Sequence, residues 1–385
     1  MKILVLGGDG YLGWPTAMHL SALGHDIMVV DNYLRRNLSR EINSEPLFDV
    51  PNLHCRSKTW LQKSGSNIEV RIGDLADWDF TEEVFEEFKP DAVIHYAEQP
   101  SAPYSMKDRQ AADLTLKNNL FVTFNIIQAV HQIVPDCHIV KLGTMGEYGT
   151  PNIDIEEGWL NVEHKGRKQK FLYPRAAGSL YHTTKVLDTD LLWFYVRTWG
   201  LRVTDLMQGP VYGLETYENV GEEALFSFFN YDEYFGTVIN RFMVQAIAGY
   251  PLTVYGKGGQ IRGYLNIKDT LQCVKLSIEN PAEAGEMRIF NQFVETFSVN
   301  EIASLVQKSG ERLGIKVDVQ NLPNPRIEME EHYYNPIHSE LEGLGLKPHL
   351  LSEEVMDDMM KLILTYRDKI QRNCIFRGVK WNRAS

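Results

Sequence analysis

The two side chains best placed to do chemistry together are Tyr181 and Lys185, in the run Tyr181-His182-Thr183-Thr184-Lys185. On a helix they lie one turn apart on the same face, so an ammonium can sit beside a phenol. A phenol with a pKa of about 10 is a poor base near neutral pH, and an adjacent cation favours its phenolate. Thr144, just past an apolar strand pattern from His138 to Leu142, can exchange a hydrogen bond with the same substrate hydroxyl. The chemistry implied is removal of a proton from an alcohol. Taken alone the spacing is weak, because Tyr181 reads as readily as a core aromatic and Lys185 as a solvated charge.

A second group of residues suggests what receives the hydride from such an alcohol. Gly7, Gly10 and Gly13 form GxxGxxG between the apolar run Lys2 to Leu6 and a helix pattern from Tyr11 to Leu23. Small residues there let the backbone approach a pyrophosphate, which the free N–H groups at a helix start stabilise. A second apolar run, Asp26 to Val30, ends in Asp31, about 20 residues beyond the glycines, where a carboxylate can hold ribose hydroxyls. That carboxylate points to NAD rather than NADP, although Arg35 and Arg36 beside it keep NADP open. Asp74 and Leu75 follow the strand pattern Ile68 to Ile72, where ligands of such sheets bind, and Asp74 reads equally as a helix cap.

The elements that must hold these groups alternate regularly. Strand patterns at 2–6, 26–30, 68–72, 92–95 and 138–142 are separated by helix patterns, among them one through Phe88 and one from Lys107 to Ile133. That alternation predicts an α/β fold, a Rossmann-type doubly wound parallel sheet followed by a smaller C-terminal α/β substrate-binding domain. Residues 1–207 are expected to form the dinucleotide-binding domain, with some later segments returning to it, and 208–385 mainly the second. Between Tyr33 and Asn67 the chain is polar and interrupted by Pro46 and Pro51, so an excursion over the active site is expected. The amphipathic run Glu353 to Ile370 predicts a final helix.

Composition narrows the function. A net charge of −12 disfavours tracking along nucleic-acid phosphates, so an anionic ligand must find a local basic pocket. No apolar stretch is long enough to cross a bilayer, which argues against a membrane role. The four cysteines (Cys55, Cys137, Cys273 and Cys374) form no CxxC pair, so neither a metal site nor a disulfide framework is expected. Met1-Lys2 leads into the first strand rather than a signal peptide, and a cytoplasmic setting in a prokaryote is the simplest expectation.

Glycine turn, strand-end threonine and YxxxK, in this order, resemble the extended short-chain dehydrogenase/reductases that modify nucleotide sugars. Longer strings, EQ…SAPYSM at 98–106, KLGTMGEYGTPNIDI at 141–155, TVYGKGGQ at 253–260, RGYL at 262–265 and the run 323–335, resemble the UDP-sulfoquinovose synthases over nearly the whole chain. The resemblance implies that bound NAD oxidises carbon 4 of UDP-glucose, that water leaves from carbon 6 after carbon 5 loses its proton, and that sulfite, free or handed over by a donor protein, adds before carbon 4 is reduced again. It makes Tyr181 the base, Lys185 the anchor of the nicotinamide ribose and Thr144 the residue that orients the hydroxyl. The cofactor site becomes Gly7, Gly10, Tyr11, Leu12, Gly13, Asp31, Asn32, Arg35, Asp74, Leu75 and Asn119, together with Tyr181 and Lys185. For the sugar nucleotide it implies Thr144, Gln208, Thr237, Asn240, Arg241, Thr253, Gln260, Arg262 and Arg326, in keeping with a diphosphate's need for converging guanidinium groups. A homodimer built on the helices near Lys107 to Ile133 and Ser179 to Trp199 is also implied.

Two departures qualify this reading. Where related 4,6-dehydratases carry an Asp-Glu pair after the threonine, this chain has Met145 and Gly146, with the carboxylate displaced to Glu147. Glu147 and His182 are therefore expected to move protons at carbons 5 and 6, with Met145 shaping the pocket; the alternatives are a structural Glu147 and an outward-facing His182. Pro100 stands where those synthases usually have Arg, which bears on the sulfite step. A UDP-glucose 4-epimerase or 4,6-dehydratase shares the first oxidation, and a non-catalytic NAD-sensing protein shares only the cofactor site.

Overall fold

The computed structural model describes residues 1–324, 333–376 and 378–379. Four β-α repeats and a fifth strand open the chain: β1 (Lys2–Leu6), α1 (Gly13–Ala22), β2 (Asp26–Asp31), α2 (Leu34–Glu41), α3 (Leu53–Ser64), β3 (Ile68–Ile72), α4 (Trp78–Phe88), β4 (Ala92–His95), α5 (Ala102–Ser105), α6 (Arg109–Ile133) and β5 (His138–Thr144). A hairpin of β6 (Trp159–His164) and β7 (Arg167–Leu172) then stands before α7 (Leu180–Trp199) and β8 (Arg202–Gln208). Beyond lie β9 (Val211–Tyr212), α8 (Val238–Ala248), β10 (Leu252–Tyr255), β11 (Ile261–Asn266), α9 (Ile267–Glu279), β12 (Met287–Gln292), β13 (Glu295–Ser298), α10 (Val299–Arg312), β14 (Val319–Leu322), α11 (Glu340–Gly343) and α12 (Glu353–Thr365).

Seven strands form one parallel sheet in the order β12-β8-β5-β4-β1-β2-β3. The run Ile3 to Leu6 is fully buried because helices cover both faces, which is why it carries no polar alternation. On one face α4, α6 and α7 pack Phe85, Ile126, Leu192 and Val196 against the strands. On the other, α1, α3 and α9 contribute Trp14, Met18, Trp60 and Val274. The strand order reverses beside β1, and the crevice at the carboxyl ends of β1 and β4 is where a sheet of this kind binds ligand.

A second lobe closes over that crevice. Its core joins Phe229, Tyr231, Phe242 and Met243 to Ile302 on α10 and Met356 and Met360 on α12. The two halves interleave rather than part at residue 207. The strand β12 returns as the sheet edge, and Leu47, Phe48 and Val50 of the first half pack into the second core.

The segment from Tyr33 to Asn67 reaches the cleft through Leu34 and Arg35. It is largely helical, as α2 and α3, and its polarity hides buried charge: Arg36 and the fully enclosed Arg56 both bind Asp9. The helix expected to be the last, α12, ends at Thr365, short of Ile370, and a 3₁₀ turn at Arg367–Lys369 and a short helix, α13 (Arg372–Ile375), follow it.

Candidate active site

A cleft of about 570 Å³ lies between the lobes, and most of the residues expected to bind or react line it. At its floor, β1 runs into Gly7, whose φ of 83° is left-handed. A Cβ on Gly7 would come within 2.7 Å of the Tyr96 carbonyl carbon, and one on Gly13 within 2.0 Å of the Gly7 carbonyl oxygen. Only glycine fits either place, and the tight turn that results sets Gly10, Tyr11, Leu12 and Gly13 along the cleft. No side chain caps the start of α1 and no acidic residue sits in its first turn, so its N–H groups are left for an anion. This donor set fits a pyrophosphate.

Asp31 ends β2 with its carboxylate accepting from the backbone N–H of Asp9 at 2.9 Å and of Tyr33 at 2.6 Å. Burial, and next the charge of Asp9, push its pKa up to about 6, against the pull of those donors. Asn32, Arg35, Asp74 and Leu75 line the same end. Arg35 lies over Phe235, 3.2 Å from the ring centre, and donates to Asn230 at 2.7 Å. Arg36 is consumed by the Asp9 carboxylate and the carbonyls of Val50 and Pro51. With a carboxylate at the strand end and Arg36 tied down, the pocket suits the free ribose hydroxyls of NAD.

Asn119 does not line the cleft, although it was expected to meet the cofactor. It accepts from the Gln99 N–H at 2.9 Å and donates to the Gln99 carbonyl at 3.2 Å and the Thr184 hydroxyl at 3.0 Å. Its amide is thus spent strapping the loop after β4 to α6 and α7, and the neighbouring Asn118 is the residue facing the cleft.

Thr144, Met145, Tyr181 and His182 converge across the cleft from β5 and α7. The Ser179 hydroxyl caps α7 by accepting from the His182 N–H, and it also meets the His182 Nδ1 at 3.0 Å. The imidazole lies over Gly146, where a Cβ would stand 2.4 Å from Nε2. Gly146 therefore makes the space that His182 occupies.

Lys185 sits behind Tyr181, its ammonium 5.9 Å from the ring centre. It donates to the Leu142 carbonyl at 2.6 Å and pairs with Glu98 at 2.6 Å. Burial first, and the Glu98 charge second, hold the Tyr181 phenol well above the usual tyrosine range, opposite in direction to the expected lowering. The Lys185 ammonium is itself buried and does not line the cleft.

Glu147 also departs from expectation. Its fully buried carboxylate completes a capping box with Thr144 and faces away from the cleft, 3.4 Å from the Lys141 ammonium and 3.6 Å from Arg175 Nε. Thr189 donates to it at 3.2 Å, and Lys141 pairs as well with Asp205 at 3.2 Å. Such a carboxylate is a structural acceptor, so proton transfer in the cleft cannot be assigned to it.

The second lobe brings Gln208, Thr237, Asn240, Arg241, Thr253, Gln260 and Arg262 to the far end of the cleft. Gln208 donates to Gln292 at 3.0 Å, and Arg241 to Thr253 at 3.2 Å. Tyr11 donates to the Gly213 carbonyl at 2.6 Å and accepts from Asn240 at 3.2 Å, tying the glycine turn to this lobe. Arg326 lies outside the described residues. Tyr255, Tyr264 and Glu98 also line the cleft and carried no expected role. Glu98 follows β4 by three residues, a strand-end position that marks it in retrospect. Among the described residues no group of His, Cys, Asp or Glu has the geometry to hold a metal ion, and no helix is long and apolar enough to cross a membrane.

Comparison with known proteins agrees with this geometry. Residues 3–291 match the NAD dependent epimerase/dehydratase family. The chain is 49% identical to the chloroplastic UDP-sulfoquinovose synthase of Spinacia oleracea, over 99% of its own length and 79% of the relative's. It is 46% identical to the UDP-sulfoquinovose synthase of Sulfolobus acidocaldarius, over 100% of its length and 98% of the relative's. Among solved structures, the UDP-glucose 4-epimerase of Bifidobacterium longum in complex with NAD+ and UDP superposes with a TM-score of 0.71 at 20% identity, over 98% of this chain and 100% of that one.

Proposed function

Because the chain belongs to the NAD dependent epimerase/dehydratase family and, within it, to the UDP-sulfoquinovose synthases, we propose that it converts UDP-glucose and sulfite to UDP-sulfoquinovose and water. NAD is its cofactor. The observation that carries the reading is identity of 46–49% to two such synthases over essentially the whole chain. The cleft joins a pyrophosphate-fitting glycine turn to a Thr144–Tyr181–His182 centre, which supports it.

Bound along the glycine turn and Asp31, NAD would supply the hydride acceptor for carbon 4 of the glucose and, once reduced, the hydride donor that restores it. Tyr181 removes the proton of the 4-hydroxyl while the Thr144 hydroxyl orients that oxygen, and Tyr181 gives the proton back in the last step. The 4-ketone acidifies carbon 5, whose proton passes to His182. His182 then delivers a proton to the carbon 6 hydroxyl, which leaves as water. Bisulfite forms its carbon–sulfur bond at carbon 6 of the conjugated alkene, and the proton it gives up passes through His182 to carbon 5. Met145 walls the pocket beside carbon 6. Arg241 and Arg262, with Thr237, Asn240, Thr253 and Gln260, hold the UDP moiety, and Gln208 meets the sugar.

A cytoplasmic setting and a homodimer belong to the same reading. Apolar side chains exposed on α6 (Leu116, Phe121, Phe124) and α7 (Leu187, Phe194, Trp199) support pairing through these helices. The deciding experiment incubates the protein with UDP-glucose and isotopically labelled sulfite and weighs the products by mass spectrometry. A sulfur-bearing UDP-sugar is expected. UDP-galactose or a 4-keto-6-deoxy sugar without sulfur would instead mark an epimerase or dehydratase, and no turnover at all would favour an NAD-sensing protein.

A further inference from the structure

Behind Tyr181 lies a set of charges whose arrangement the reaction outlined above does not explain. Glu98, from the loop after β4, buries its carboxylate until only 3% of the side chain is exposed, yet the residue borders the cleft. That carboxylate lies 2.6 Å from the Lys185 ammonium and 3.5 Å from His95 Nε2. His95 cannot neutralise it: burial, then the charges of Lys185 and Lys141, push the imidazole pKa far down, and Nε2 is engaged with Thr123 at 3.0 Å. Asp188 on α7 is fully buried, and burial followed by the Glu98 charge pushes its pKa well up, so it adds no cation to the group. Lys185 is left as the counter-ion of Glu98.

The charged and titratable groups around the phenol are therefore Glu98 from the loop, Lys141 on β5, Glu147 on the turn after it, and His182, Lys185 and Asp188 on α7. Lys141 is already shared between Glu147 and Asp205. A cation paired with a carboxylate at contact distance projects little field onto a ring 5.9 Å away, since the two charges largely cancel.

We propose that Glu98 is a positioning residue that fixes Lys185 and keeps Tyr181 in its neutral phenol form in the resting site, so that Tyr181 becomes a base only when a further positive charge arrives beside it. Resting on the NAD-dependent reading above, that charge is the oxidised nicotinamide, which is present for the first proton transfer and absent for the last. Tyr181 must accept a proton in the one and donate it in the other. A carboxylate behind Lys185 sets the phenol to answer the change in cofactor charge in both directions. A bare Lys185 would favour the phenolate throughout and weaken Tyr181 as the final acid.

The test reads the ionisation of Tyr181 directly. The near-ultraviolet phenolate absorption is titrated in the protein as purified with saturating NAD, and the same titration of Tyr181→Phe is subtracted. Glu98→Gln is expected to lower the Tyr181 midpoint by about one pH unit or more. A midpoint that stays put or rises overturns the proposal. Should Glu98→Gln fail to fold, Glu98→Asp, which draws the carboxylate back from Lys185, must lower the midpoint by a smaller amount, and an unmoved midpoint again overturns it. Sulfur incorporation plays no part in this readout. A chain that made UDP-galactose would lose the sulfosugar reading and keep this one.

Discussion

Replacing Gly146 with alanine should disable one proton transfer while sparing the rest of the cleft. The backbone at Gly146 is not left-handed, so alanine is tolerated there, and the whole effect falls on what its methyl would meet. That is the His182 ring, with Nε2 at 2.4 Å, Cδ2 at 2.5 Å and Cε1 at 3.0 Å from the added carbon. Carbon and ring atoms need roughly 3.5 Å, so the imidazole must retreat by about 1 Å. Doing so strains the bond between Nδ1 and the Ser179 hydroxyl, which is worth about 1 kcal/mol, and adds overpacking of about 1–3 kcal/mol. A proton-transfer group displaced by about 1 Å costs on the order of 100-fold in its step. The expected result is loss of exchange of the carbon 5 proton with deuterated solvent, while reduction of bound NAD by UDP-glucose persists. The control is a double-mutant cycle, because with His182→Ala already present the clash is gone and Gly146→Ala should cost nothing further. Equal loss of exchange from Gly146→Ala in both backgrounds, or full exchange in His182→Ala, would refute the assignment of His182.

Asp31 must be ionised to accept from both ribose hydroxyls, and its pKa is pushed up to about 6 in the free protein. NAD affinity, measured by calorimetry, should therefore be constant above that value and fall about tenfold per unit below it, a dependence that Asp31→Asn abolishes along with part of the affinity. Lys141→Met leaves Glu147 and Asp205 buried without their shared cation and should cost about 3–5 kcal/mol in denaturant unfolding, with Thr144 misplaced as a consequence. Arg241→Ala and Arg262→Ala should each raise KM for UDP-glucose about 10- to 100-fold with little change in kcat, because contacts to the diphosphate persist through every chemical step.

Where sequence and structure agree, the elements have a single periodicity. The run Ile3 to Leu6 can only be a strand buried on both faces, and Gly7 and Gly13 occupy places where a Cβ collides with backbone. Tyr181 and His182 line the cleft from α7, where helical spacing alone left Tyr181 equally a core aromatic and His182 free to face outward. Disagreement appears where a polar residue faces inward. Arg56 of α3 and Asp9 neutralise one another in the interior, so the polarity of the segment concealed its two helices. Asn119 and Asn118 are neighbours of identical type, and only helix phase decides which faces the cleft and which straps the β4 loop. Glu147 is near Thr144 in the chain, but the 3₁₀ turn between them swings its carboxylate into the sheet. Proximity in sequence cannot report that rotation.

The inward turn of Glu147 has a consequence for the proposed reaction. A carboxylate in the cleft about 5 Å from an incoming anion would oppose each of its charges by about 3 kcal/mol at an effective dielectric of about 20. An enzyme that only removes water can tolerate an acid pair beside carbon 6, because its second reactant is a proton. One that must next admit sulfite at the same carbon cannot hold ionised carboxylates there without slowing the addition. Met145 and Gly146 remove those charges, Lys141 and Arg175 surround the one that remains, and the imidazole of His182 takes over as a group that is neutral or positive in every state it visits. The same reasoning explains why the ionised groups that tune Tyr181 lie behind it rather than beside the substrate. From there they set the phenol's proton affinity through a few ångströms of packed protein, and the wall made by Thr144, Met145, Gly146 and His182 is left without a carboxylate.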